Sequence, residues 1–436
     1  MAIAVDVGTR YARIARVGSD GTPELVALPG SVPGEGLPVE AVAGRSTTLH
    51  TAYTAYCNHF GAPDRVVVIV PQQDRAAHAR RAVAVFAEGH AAAPAPEVRV
   101  LSTPHAVLSL VRHAGTATAG RYAVCDLGAT AAEVSLCALT SQAVAVVGIA
   151  RHAPAGGYGA GFDAALLTGA GLPDDAVTHR ELAAVRAGEG AARRLDLAVS
   201  HAERHPGRYD DTPVHKVAGR DITAGVVSRA LGRLTAGADR ALDEALGGTR
   251  AAPPVVAVGG AARLRPLDRH LATRRGTVVG LLAGTDPALA AVFGGALVAA
   301  GAMDPGDRYP HAVCVAGHRT AGGEPRSDEL LISPAGVLEP GGPVVFAERA
   351  GHLLRVRTAP GSARPVRVSV RAACGRTTAV VRTLTVPGRA AGDRFHVGIR
   401  IDVDGTARLV LEPVGFGTST EFPLGTLPTD LEGAPS

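Results

Sequence analysis

Two stretches of this chain, about 120 residues apart, share one layout, and that repeat narrows the folds open to it. Residues 3–17 read Ile-Ala-Val-Asp-Val-Gly-Thr-Arg-Tyr-Ala-Arg-Ile-Ala-Arg-Val, and residues 123–139 read Ala-Val-Cys-Asp-Leu-Gly-Ala-Thr-Ala-Ala-Glu-Val-Ser-Leu-Cys-Ala-Leu. In each, a strand-like apolar run meets an Asp, an apolar residue and a Gly, then a small hydroxyl-bearing turn and a second strand-like run. Gly8 and Gly128 let the backbone come close to a ligand, and Thr9 and Thr130 add hydroxyls beside the N–H groups of the turn. Asp6 and Asp126 stand at strand ends, where a carboxylate can hold a hydrated divalent cation. Taken singly, either stretch is also what an ordinary hairpin uses. The recurrence points to duplicated halves, each offering a phosphate-facing loop.

A third turn extends the pattern. Val255-Val256-Ala257-Val258-Gly259-Gly260-Ala261-Ala262-Arg263-Leu264 reads as a buried strand running into a Gly pair and a helix. Gly259 and Gly260 let a flat ring or a phosphate approach the backbone. Three such turns in this order imply a nucleotide site.

These motifs resemble those of the actin-like ATPase superfamily, and within it the DnaK-type seventy-kilodalton heat-shock chaperones. The two Asp-Gly turns are similar to that family's phosphate loops, and residues 258–263 to its adenosine loop, usually Val-Gly-Gly-Ser-Thr-Arg. Val66-Val67-Val68-Ile69-Val70-Pro71, Leu101-Ser102-Thr103-Pro104-His105-Ala106-Val107 and Gly159-Ala160-Gly161-Phe162-Asp163 resemble further family segments in the same order. The likeness covers nearly the whole chain, with deletions. It implies an α/β actin-like ATPase domain of two lobes over residues 1–303, a linker at 304–312, a C-terminal all-β sandwich-like domain at 313–425 and a tail at 426–436.

Composition sets the outer bounds. At 436 residues the chain can hold two or three domains, and 46% apolar residues exclude a disordered chain. Net charge is +4 with acids and bases interleaved, aromatics are 3% and Trp is absent, which argues against a nucleic-acid stacking platform. Five scattered Cys without a Cys-x-x-Cys fit a reducing cytoplasm better than a zinc site or a disulfide framework. The sequence starts directly on a strand, so no signal peptide is expected. Residues 287–302 are apolar but short for a membrane span and read as a core helix.

Between the motifs, strands and helices alternate, as in a parallel-rich sheet. Helices are expected at residues 47–60, 74–88 (with Asp74 as a cap), 104–113, 162–168 and 223–246, and one long helix at 180–201. Glu189 and Arg193 lie four apart there, which is an exposed ion pair or a pair flanking an adenine ring. By resemblance this helix carries adenine contacts from a Glu and a Lys-Arg pair, with Ala192 standing where the Lys would be. Past Asp304-Pro305-Gly306-Asp307-Arg308-Tyr309-Pro310 the period changes to two. Phe395, Val397, Ile399, Ile401 and Val403 alternate along one strand, Asp404-Gly405 can turn, and Ala407, Leu409 and Leu411 return.

Phosphoryl transfer to water needs a phosphate cradle, a Mg2+ holder and a group that positions the water. The resemblance assigns the cradle to Gly8, Thr9, Gly128 and Thr130, Mg2+ to Asp6 and Asp126, and the nucleoside to Glu189, Arg193, Gly259, Gly260 and Arg263. The rest has eroded. The family's catalytic Lys has no counterpart, though Arg10 offers a cation nearby. Its Glu before Pro is Thr103, and its Asp-Leu-Gly-Gly-Gly-Thr is Asp126-Leu127-Gly128-Ala129-Thr130-Ala131. Loss of one preorganised group can cost ~10²–10³ in rate. The expectation is a lidless DnaK-like chaperone that binds ATP or ADP with Mg2+, hydrolyses weakly or not at all, and takes unfolded peptide or a client protein on its β domain, with a co-chaperone as a further partner. Neither nucleic acid nor membrane is an expected partner. The alternative is a nucleotide-binding pseudo-ATPase scaffold with one dedicated partner. A sugar kinase would need a catalytic Asp that the sequence does not offer, and the β domain is wrong for it.

Overall fold

In the computed structural model, which describes residues 1–39, 44–73, 75–88, 96–140, 143–188, 190–247, 252–321, 324–357, 364–372, 378–386 and 393–428, the chain forms two compact units. Unit 1 comprises Met1–Gln73, Ala92–Ala138 and Gly148–Asp304, and unit 2 comprises Asp74–Ala91, Leu139–Val147 and Pro305–Ser436. The chain is thus mixed α/β with a β-rich C-terminal region.

The first sheet of unit 1 runs in the order Pro23–Leu25, Tyr11–Val17, Ala2–Val7, Arg65–Val70, Glu97–Ser102. Ala2–Val7 pairs antiparallel with the strand that follows it and parallel with Arg65–Val70, whose unbroken Val and Ile run is buried as a strand covered on both faces must be. The second sheet of unit 1 runs Val255–Val258, Gly120–Leu127, Ala132–Leu139, with Val255–Val258 parallel to Gly120–Leu127. Each sheet therefore has an Asp-bearing strand flanked by its hairpin partner and by a parallel strand from later in the chain.

The apolar stretch at 287–302 does form a buried helix, Ala290–Ala299. It lies so close to the Thr103–His113 helix that a Cβ at Gly294 would come within 1.8 Å of the Ala106 carbonyl oxygen, while one at Gly295 would meet Ile69 and Ala4. No helix among the described residues is long and apolar enough to cross a membrane.

The expected single helix over 180–201 is two helices, Ala176–Ala187 and Ala191–Arg204. Gly188 is extended and Gly190 is left-handed at φ 71°, which ends one helix and starts another. Asp175 caps the first by accepting from the Val177 and Thr178 N–H groups. Glu189 and Asp74, both singled out from sequence, and Cys374, one of the five Cys, lie outside the described residues.

In unit 2, two antiparallel sheets share one core. One is ordered Glu324–Ser333, Ala312–Ala321, Arg364–Arg371, Thr378–Val386; the other is ordered Val345–Phe346, Arg394–Ile401, Thr406–Pro413, Thr420–Thr426. Val313, Val368, Val370 and Leu384 of the first meet Phe395, Val397, Ile399, Leu409 and Leu411 of the second. Residues 305–311 hold no helix or strand, yet Asp307 and Tyr309 are buried. Asp307 is held by Arg75 of the Arg75–Glu88 helix through both guanidinium nitrogens, and Arg80 of that helix reaches Asp404 at 2.8 Å.

Candidate functional site

A cleft of about 1140 Å3 lies wholly within unit 1. Its base is made by the two Asp-Gly turns, which are closed in the same way. The Gly8 N–H donates to the Tyr11 carbonyl at 3.0 Å, and the Gly128 N–H donates to the Ala131 carbonyl at 2.9 Å. Both are tight two-residue turns. The central N–H groups, those of Thr9 and Arg10 and of Ala129 and Thr130, have no backbone acceptor among the described residues. Such N–H pairs at a turn tip suit an anion. The second turn is also braced from behind: the Tyr158, Gly159 and Ala160 N–H groups donate to the Thr130, Gly128 and Ala129 carbonyls.

The third turn closes one side. Asp126 is in register with Val258, so Gly259 follows immediately beside the Asp126 carboxylate. Gly259 has φ 91°, and a Cβ there would sit 2.7 Å from both Asp126 Oδ1 and the Leu127 carbonyl oxygen. Only Gly fits this approach. Arg263, one turn on, pairs with Asp286 at 2.8 Å and with Glu35. Burial alone would lower its pKa, and the bonds to Asp286 and Glu35 more than reverse this.

Of the residues expected at the site, Asp6, Gly8, Thr9, Arg10, Asp126, Gly128, Thr130, Gly259, Gly260 and Arg263 all line this cleft. Arg193 does not; it is exposed on the Ala191–Arg204 helix, which offers Ala191, Ala192 and Leu195 to the cleft instead. Arg10, considered as a substitute cation, is engaged: its Nη1 lies 2.7 Å from Asp163 Oδ2, and Asp163 is also bonded by Arg186.

Among the charged residues of the cleft that sequence reading missed, four bear directly on its carboxylates. Arg13 is in register with Asp6 and lies 3.7 Å from it. Glu133 accepts from the Gln72 N–H at 2.9 Å, and the matching turn geometry sets it opposite Asp126 as Arg13 is opposite Asp6. That cross-strand count, seven residues on from each Asp, was the available signal. Arg45 and Arg151 come from remote elements, and no local pattern marks them. Both line the cleft, both act on its carboxylates, and neither has a hydrogen-bond or ion-pair partner among the described residues.

The carboxylates are crowded. Burial, then Glu133 and Asp6, push Asp126 up to about 7. Burial also raises Asp6, against Arg13 and Arg45, and raises Glu133, against the Gln72 and Gln73 N–H groups. A cation between them would relieve this. Among the described residues no group of three or more His, Cys, Asp or Glu is spaced to hold a metal by itself. Asp6 and Asp126 could hold a cation that keeps several of its waters, as Mg2+ does when it takes one or two carboxylates together with substrate phosphates. Thr103 also lines the cleft, but its hydroxyl donates to the Val70 carbonyl. No protein-family model and no curated protein matches the chain.

Proposed function

We propose that unit 1 is an actin-like, DnaK-type nucleotide-binding domain that takes ATP or ADP with Mg2+ and hydrolyses slowly or not at all, and that the β-rich region holds an extended peptide or client protein. One observation carries the reading: two equivalent turns with unused N–H groups and a glycine turn converge on one cleft, with an Asp at the base of each of the two. The turns would cradle phosphates, Asp6 and Asp126 would hold Mg2+ through its waters, and Arg45 and Arg151, which act on the cleft's carboxylates, would meet the terminal phosphate. When bound, the ion would supply charge neutralisation at the phosphates. Weak turnover is supported by Thr103, whose hydroxyl is committed to backbone, and by Ala129, which puts a methyl where the family has glycine. For the β region, Val380 is 55% exposed on Thr378–Val386, the end strand of its sheet, where an added strand can pair.

A second reading, a scaffold with one dedicated partner, is favoured by the self-paired cations Arg10 and Arg263. A panel of unfolded peptides competing for one site supports the chaperone; a single tight partner supports the scaffold.

The test is a thermal melt with Mg2+–ATP, Mg2+–ADP and a non-hydrolysable analogue. Ligand at about a hundred times its Kd should stabilise by ~2.7 kcal/mol, a shift of several degrees, lost in Asp6→Ala. No shift with any of the three would sink the nucleotide reading.

A further inference from the structure

His215 is the buried polar group that the phosphate-facing parts of the cleft leave unused. It lies on the Pro213–Val217 strand, is 4% exposed, and lines the cleft. Neither ring nitrogen has a hydrogen-bond partner among the described residues. Buried ring nitrogens are normally paired, because leaving them dry forfeits their hydration with nothing in return. The strand is irregular at this point: the pairing with Arg220–Thr223 slips between Pro213 and His215, so that Val214 and His215 are both buried. A bulge of this kind re-aims a side chain, and bulges gather beside binding sites.

The surroundings fit a flat ring. Phe162, Ala183 and Leu195 line the same cleft, the Ala176–Ala187 and Ala191–Arg204 helices both pack on the His215 strand, and Arg186 lies over the Phe162 ring at 5.5 Å while bonded to Asp163. The imidazole is neutral at physiological pH, because burial, and then Arg186 and Arg194, push it down to about 4. A neutral imidazole offers one N–H and one lone pair. Nucleobase edges present the complementary donors and acceptors. The Ala191–Arg204 helix offers no polar alternative at the cleft, since Arg193 is exposed and Ala192 is apolar.

We propose that His215 is a specificity-determining residue that hydrogen-bonds the edge of a nucleobase, held at the end of the cleft walled by Phe162, Ala183, Arg186 and Leu195. This rests on the reading of unit 1 as a nucleotide site, but it concerns the base alone and can fail separately.

The full chain is titrated with adenosine, with ATP and with inorganic triphosphate, and the ring nitrogens of His215, assigned by difference from His215→Gln, are followed by 15N NMR. Adenosine and ATP should move the His215 ring signals and triphosphate should not. His215→Phe should bind ATP about tenfold more weakly with triphosphate affinity unchanged, and His215→Gln should keep most of the affinity. His215 signals unmoved by adenosine and ATP overturn the base subsite, whether or not triphosphate binds, and assign its nitrogens to water. Wild-type ATP affinity in His215→Phe also overturns it. Adenosine moving His215 while triphosphate fails to bind would leave the subsite standing and remove the phosphate cradle. If the Phe variant does not fold, the Gln variant and the wild-type spectra decide.

Discussion

The two Asp-Gly turns are the same piece of backbone with opposite neighbours. Each closes by a Gly N–H to the carbonyl three residues on, and each exposes two N–H groups at its tip. Across the hairpin, however, Asp6 meets Arg13, whereas Asp126 meets Glu133. Burial pushes the first carboxyl toward its neutral form, and the Arg13 guanidinium opposes that shift. The second is pushed the same way by burial, and Glu133 adds to the shift, to about 7. A motif therefore fixes where a carboxylate stands and how deeply it is buried; the residue opposite decides whether the shift that burial causes is opposed or reinforced.

The largest effect that would break the second turn is Gly259→Val. The added side chain collides with Asp126 and the Leu127 carbonyl at a left-handed φ. Loss of ~3 kcal/mol or more and of any ATP-dependent melting shift is expected. A variant that melts like wild type and still responds to ATP would show that the close approach is not needed.

The comparison itself is sharpened by Asp126→Asn against Asp6→Asn in urea melts from pH 4 to 8.5. A carboxyl raised in the folded state makes the fold hold its proton more tightly than the unfolded chain does. The penalty for ionising it is absent below about 4, grows as pH rises, and is complete above about 7. Asp126→Asn escapes it and should gain on wild type as pH rises, by on the order of 2 kcal/mol at pH 8. Asp6→Asn should show a shallower trend, since Arg13 and Arg45 offset the burial of Asp6. Equal slopes would erase the distinction between the turns.

Arg45→Ala removes an unpaired cation that acts on both aspartates. ATP binding should weaken about tenfold, with a flatter dependence on salt, and ADP should suffer less. An equal loss for both nucleotides would move Arg45 away from the terminal phosphate. The smallest effect is expected from Glu35→Gln. The Glu35 carboxylate pairs with Arg263 and lies 3.6 Å from Arg13 Nη2. Removing this competing charge should tighten ATP binding about three- to fivefold by calorimetry, a small effect because Arg263 keeps Asp286 and partly exposed ion pairs are worth little. Weaker binding would mean that Glu35 orders the cleft and does not compete for it.

Much of the fold was legible because it rests on local pattern. The Arg65–Val70 and Thr378–Val386 strands fall where their apolar runs and periods put them. The Ala312–Ala321 and Glu324–Ser333 hairpin was not read, because its outer halves are polar and its identity as strand comes from its partners. The long helix failed at Gly188 and Gly190, where backbone freedom outweighs the apolar stripe on either side. At the site, the turn residues announced themselves. Glu133, Arg151 and His215 did not, because what matters about each is a neighbour brought in from elsewhere in the chain.

The Arg75–Asp307 pair bears on how this protein can be taken apart. The Arg75–Glu88 helix belongs to unit 2 although it is encoded more than 200 residues ahead of the β region. A gene cut after Asp304 would give a β fragment carrying Asp307 but not the cation that neutralises it, together with an N-terminal fragment carrying a helix cut off from its contacts. The two units cannot be traded as cassettes by recombination at a single point. Transplanting the β region onto another protein would call for three separated segments, or for Asp307→Asn and a new cover over the surface that the helix now occupies.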